Sequence, residues 1–249
     1  MIIFEIFTDY YRYFLRGAQA TILLSLAVVF VGSILGSLLG IMRLSNNKLF
    51  SGFSKLYITV IRGTPLLVQL WIVYFQLDFI KYPDWVVLGM DFERLAPCVI
   101  ALSLNSAAYV AEIIRAGIQA VDKGQGEAAR SIGMTQGQAM RTIILPQAVK
   151  NILPAIGNEF VVNIKDSSVL NVISVTELFF QGKAAAGAYY RYFETYFIIA
   201  VIYLFLTFTV TRILRLIEKK MDGPDNYVIC GSQSDSRAAI RVNASKEEA

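Results

Sequence analysis

Glu159 and Asp166 are carboxylates set in and just beyond a moderately apolar segment, Ala148 to Ile164. A charged side chain at mid-bilayer costs roughly 2.5–3.5 kcal/mol on insertion scales, so such groups face a cavity or a partner group. Their seven-residue spacing is about two helical turns, which places both on one face of a helix. Asn105 and Ser106 lie in another apolar segment, and Ser167 follows Asp166 directly. Asn105, Glu159, Asp166 and Ser167 are therefore candidates for a polar path through a membrane. Acidic groups there suit the α-ammonium of an amino acid or a cationic side chain. Two structural alternatives remain open: Glu159 pairs with an Arg or Lys inside a bundle, or Lys165 and Asp166 form an outer-surface ion pair.

Other chemistry lacks its residues. The chain has no histidine, no H-E-x-x-H and no G-x-S-x-G, so hydrolysis has none of its usual groups. Cys98 and Cys230 show no metal or redox spacing. No G-x-x-x-x-G-K-[ST] is present, so nucleotide phosphates have no such cradle. No catalytic residue, metal ligand or cofactor site is expected on this chain.

The elements that must position these residues are built for lipid. The 249 residues are 55% hydrophobic, above the 45–50% usual for soluble domains even with Gly counted there. Ala18 to Met42 runs 25 residues without a charge, about 37 Å as a helix and enough to cross a hydrocarbon core of about 30 Å. Gly32, Gly36 and Gly40 recur every four residues within it, a small-residue face for close helix packing. Further apolar segments are Leu56–Leu77, interrupted by "RGTP" at Arg62–Pro65 and predicted to kink there, Leu95–Ala111, Ala148–Ile164 and Thr195–Thr211. The fourth is marginal by hydropathy. The count is five spanning helices in an all-α integral membrane protein. No internal repeat of fixed period is seen, and the net charge of +4 forms no basic stripe, which argues against a nucleic-acid partner.

Lys and Arg set the orientation. Basic residues follow the first helix (Arg43, Lys48, Lys55, Arg62), fill the region Arg115–Lys150, and end the last helix (Arg212, Arg215, Lys219, Lys220). The 78–94 loop has two basic against four acidic residues. The three basic regions are expected to share the cytoplasmic face, with the N-terminus outside. Residues 1–17 carry Ile2, Ile3, Ile6, Phe7, Tyr10 and Phe14, a pattern for a helix in the outer interface, and do not read as a signal peptide. Residues 18–221 form the membrane domain, and the polar tail 222–249 is expected to be disordered.

Between the third and fourth spans lies a mostly polar insert, residues 126–147. Glu127, Ala128 and Ala129 favour helix, with the acid placed at the favourable N-terminal end. Gly133 permits a sharp turn, and Thr135 with Gln138 forms a capping-box pattern for a second helix. That helix is predicted to end near Leu145, before Pro146.

The pattern E-A-A, three residues, G, nine residues, I-x-L-P falls on Glu127, Ala128, Ala129, Gly133, Ile143, Leu145 and Pro146. It resembles the EAA signature of permease subunits of bacterial ABC importers. "RGTPLLVQL", "AAYVAEIIRAGI" and "IKDSS" are similar to the polar-amino-acid branch, which includes the histidine and glutamine permeases. The resemblance covers about residues 17–221. It implies a type I importer permease fold in the inner membrane, with the insert as coupling helices docked on a separate ATPase subunit. It also implies an ATPase dimer carrying ATP and Mg, a second permease chain (identical or related), an extracytoplasmic solute-binding protein and an amino-acid substrate. An ion-coupled secondary transporter is the competing reading, but five spans without an inverted repeat do not suit it.

Overall fold

A single 43-residue helix, α1 (Ile2–Leu44), opens the chain. It passes the expected boundary at residue 17 without a break, there being no proline in it. Ile6 and Phe14, assigned to an outer interface by pattern, are buried against later helices, while Ile2, Ile3 and Phe7 stay exposed. The computed structural model describes residues 2–77, 80–87, 89–222, 227–230 and 239–242.

The helices α2 (Lys48–Gly63) and α3 (Leu66–Gln76) meet at the RGTP break with a bend of 111°. Thr64 and Pro65 leave helical geometry there, which is the predicted kink. A short antiparallel pair, β1 (Val86–Val87) and β2 (Met90–Asp91), precedes α4 (Phe92–Gln119). The insert follows as α5 (Lys123–Ser131), α6 (Gln136–Ala139) and a π turn at Met140–Ile144, which runs into α7 (Leu145–Asp166). A 3₁₀ turn at Ser167–Ile173 leads to α8 (Leu178–Tyr189) and α9 (Tyr192–Asp222). In the tail, β3 (Tyr227–Cys230) pairs antiparallel with β4 (Ala239–Val242). The rest of the tail expected to be disordered, 223–226, 231–238 and 243–249, lies outside the described residues.

By length and hydropathy α1, α4 and α9 can each cross a membrane, and the bent α2–α3 pair can act as a fourth, broken span. The 22-residue α7 falls outside that criterion because Pro154, Glu159 and other polar residues dilute it. Packing fixes the relative directions. Gly32, Gly36 and Gly40 of α1 face Ser106, Val110 and Ile114 of α4, so these two helices run parallel. A Cβ on Gly36 would sit 2.6 Å from that of Val110; only a side chain of hydrogen permits this approach. Gly117 and Ser106 of α4 meet Ile152 and Glu159 of α7, and Gly157 of α7 meets Leu214 of α9 while Lys165 borders a groove with Tyr203 and Tyr196, so α7 runs opposite to both. Arg43 Nη2 lies 3.3 Å from Glu112 Oε1. The three basic regions thus gather at one end of the bundle, as their sequence positions predicted.

Apolar clusters include Leu24, Val28, Leu70, Leu102 and Leu170 between α1, α3, α4 and the 3₁₀ turn, and Phe14, Leu178, Ile198 and Ile199 between α1, α8 and α9. Large apolar side chains such as Phe30, Leu204 and Phe205 remain exposed. Lipid is as apolar as they are, so close packing and hydrogen bonds hold the helices together. One such anchor is Glu177, fully buried at the N-cap of α8. Its Oε2 accepts from the Phe179 N–H (2.8 Å) and the Tyr203 hydroxyl of α9 (2.9 Å), and its Oε1 from the Phe180 N–H (2.8 Å). Thr21 Oγ1 of α1 accepts from the Leu178 N–H beside it (3.2 Å).

Candidate functional site

Two polar regions stand out, a buried seam between α4 and α7 and the exposed knob formed by α5, α6 and the π turn. In the seam, Glu159 is only 8% exposed. Its Oε1 accepts from Ser106 Oγ (3.0 Å) and Asn163 Nδ2 (3.2 Å). Asn163 also donates to the Glu159 carbonyl (2.9 Å). Glu159 Oε2 has no hydrogen-bond or ion-pair partner among the described residues. The carboxylate is therefore oriented through one oxygen and open at the other, a geometry suited to a cation delivered from outside the fold. Neither structural alternative from the sequence is realised: among the described residues Glu159 pairs with no Arg or Lys, and Lys165 and Asp166 make no ion pair.

The four candidates separate into distinct settings. Asp166 ends α7 half-buried, with no hydrogen-bond partner among the described residues. Ser167 is fully buried, and its hydroxyl donates to the Ile164 carbonyl (2.8 Å). Asn105 Nδ2 donates to Gln69 Oε1 (2.9 Å). Gln69 in turn ties the RGTP break, donating to the Ile61 carbonyl (2.7 Å), the Thr64 carbonyl (3.0 Å) and Thr64 Oγ1 (2.8 Å). The bend thus supplies the fixed end of a polar chain that reaches Asn105. Asn163 and Gln69 were missed from sequence. Asn163 lies four residues after Glu159, one turn on, so its face was legible. Gln69 carries no such signal.

The knob is built from local satisfaction of its backbone. Asp122 caps α5 by accepting from the Gly124 N–H (2.7 Å), so the helix starts earlier than expected and Glu127 sits inside it rather than in its first turn. At the other end the Met134 N–H reaches the Ala129 carbonyl (3.1 Å) and the Gly133 N–H the Arg130 carbonyl (3.0 Å). Gly133 has φ +87°; this is a Schellman closure that needs a residue without Cβ. The predicted capping box is present: the Gln138 N–H donates to Thr135 Oγ1 and the Thr135 N–H to Gln138 Oε1 (2.8 Å). Ala129 and Ala139 are buried, while Glu127, Ala128 and Gly133 face outward and Ile132 is 77% exposed at the tip. Ile143 is half-buried, and Leu145 and Pro146 are exposed.

The second helix does not end near Leu145 as predicted. The Leu145 N–H reaches back five residues to the Met140 carbonyl. The widened turn accommodates the Pro146 ring, which falls in the first turn of α7, where a missing N–H costs little. The knob is therefore continuous with the helix that carries Glu159.

Residues 8–223 match the family described as "Binding-protein-dependent transport system inner membrane component". The chain belongs to this family. Among curated relatives of this inner membrane component is the arginine transport system permease protein ArtQ of Bacillus subtilis (strain 168). It is 40% identical over 213 residues, 86% of this chain and 94% of that one. The putative glutamine transport system permease protein GlnP of Rickettsia felis is 39% identical over 209 residues, 84% and 93% of the two chains. A solved structure described as an amino acid ABC transporter with histidines matches with TM-score 0.77 at 46% identity, covering 86% of this chain and 96% of that one. A MetNI methionine ABC transporter chain, at TM-score 0.66 and 16% identity, shares the fold. The resemblance to amino-acid permeases of ABC importers is borne out, and the chain is a multi-pass permease of the inner membrane.

Proposed function

We propose that this chain is the membrane-spanning subunit of an ATP-driven importer that passes a polar amino acid delivered by an extracytoplasmic binding protein. The substrate class is supported by the relatives' names and by the open acidic seam. With α7 counted as the fourth of five spans and the basic regions on the cytoplasmic side, the N-terminus lies outside and the knob in the cytoplasm, where residues 127–146 dock on a separate ATPase subunit of a dimer holding ATP and Mg. A second permease chain, identical or related, completes the pathway. Glu159 holds the substrate ammonium through Oε2, with Asn105 and Asp166 along the same path. Ser167 belongs to it by position, its hydroxyl being committed to Ile164.

The unbroken helical course from the π turn to Asp166 carries this reading. Movement of the knob cannot be absorbed by a loop before reaching Glu159. Two glycines inserted between Ile144 and Leu145 test it in proteoliposomes containing the ATPase. The ATPase is expected to remain bound while ATP-dependent uptake falls about tenfold or more, equivalent to about 1.4 kcal/mol of lost coupling. Undiminished uptake in that variant defeats the coupling role.

A further inference from the structure

We propose that the groove between α7 and α9 faces lipid and is a binding site for an acidic phospholipid, with its phosphate against Lys165, Arg212 and Arg215. The groove has a volume of about 280 Å³ and is lined besides by Val161, Thr207 and Phe208. No acidic side chain lines it, and its three cations make no ion pair among the described residues. The guanidinium of Arg212 lies over the Phe208 ring, 4.9 Å from its centroid, and so points back along α9 into the apolar stretch. The hydroxyls of Thr207 and Thr211 donate to the carbonyls of Tyr203 (2.9 Å) and Thr207 (2.7 Å), leaving the cations as the free donors.

Three unpaired cations clustered where a transmembrane helix ends attract a counter-charge, and basic pockets between transmembrane helices are suited to anionic headgroups. The shape argues for an amphiphile over a free anion. Lys165 also lines a second, mostly apolar groove of about 440 Å³ with Phe179, Tyr196, Ile199 and Tyr203. The two grooves share Lys165, so an ionic end continues into an apolar one, matching a phosphate joined to an acyl chain. This site lies on the α9 side of α7 and is independent of the substrate reading for Glu159.

The test uses the assembled membrane complex extracted from vesicles of phosphatidylglycerol and phosphatidylcholine, with retained lipid read by native mass spectrometry. Phosphatidylglycerol is expected to be retained over phosphatidylcholine. The combined variant Lys165→Gln, Arg212→Gln, Arg215→Gln is expected to weaken retention roughly a hundredfold, each cation near a phosphate giving a factor of about five. Should that variant fail to assemble, Arg212→Lys with Arg215→Lys keeps the charge and is expected to retain the lipid, whereas Lys165→Gln alone is expected to retain less. Equal retention of both lipids, or undiminished retention in the assembled glutamine variant, overturns the proposal. Displacement of the lipid by inorganic phosphate also overturns it, because the site then takes a free anion. A disulfide between two permease chains carrying Phe208→Cys does so as well, because the groove then faces a second copy.

Discussion

Glu177 and Glu159 are both carboxylates buried among helices, yet they differ in what holds them. Glu177 gives both oxygens to the fold, accepting from two backbone N–H groups of α8 and from the Tyr203 hydroxyl of α9. Glu159 is fixed through Oε1 alone, by Ser106 and Asn163. A buried polar group is tolerated when it is satisfied. Full satisfaction makes Glu177 a fastener, whereas half satisfaction leaves Glu159 able to meet something that comes and goes.

The strongest way to break this contrast is Glu177→Ala. It strands two part-buried N–H groups and a part-buried hydroxyl, at about 1–3 kcal/mol for each group that water does not reach. Thermal unfolding of the solubilised assembly is expected to show a loss of about 3 kcal/mol or more, or failure to assemble. A variant as stable as the parent would show that Glu177 is not a fastener. Next is Glu159→Gln, whose amide oxygen can still accept from Ser106 and Asn163. Unfolding is expected to be nearly unchanged while uptake falls about tenfold, because a hydrogen bond to a charged group contributes about 1.5–3 kcal/mol. Intact assembly with parental uptake would remove Glu159 from the path. The smallest effects sharpen the distinction. Tyr203→Phe deletes one interhelical hydrogen bond, and Ser106→Ala deletes the one to Glu159 together with a longer one from Asn163 (3.5 Å), at about 0.6 kcal/mol of stability each. Only Ser106→Ala is expected to raise the KM for uptake, since it loosens the carboxylate proposed to meet substrate. Equal transport by the two variants would erase the difference between the regions.

Features that depend on local chemistry were legible in the sequence. The Thr135–Gln138 box, the turn at Gly133, the break at Arg62–Pro65 and the glycine face of α1 each follow from neighbours within a few residues, and each is present. Glu159 was legible because a carboxylate is conspicuous among apolar residues. Glu177 was not: it stands in a connecting segment, and its partner Tyr203 comes from α9, 26 residues on. The course past Pro146 was misread because the rule for the residue before proline assumes α geometry, whereas the π turn shifts the hydrogen bonds by one residue. The continuity of α1 through residue 17 was not legible for a related reason. Apolar residues recurring at i, i+3 and i+4 identify a helix, but which surface that helix meets is decided by α8 and α9.

The absence of a stop at Pro146 has a mechanical corollary. The 22 residues of α7 form an arm of roughly 33 Å, so rocking of about 10° at the knob swings Asp166 through roughly 6 Å. A modest rotation at the base is thereby converted into a displacement wider than a water molecule at the far tip, with Glu159 carried part of the way.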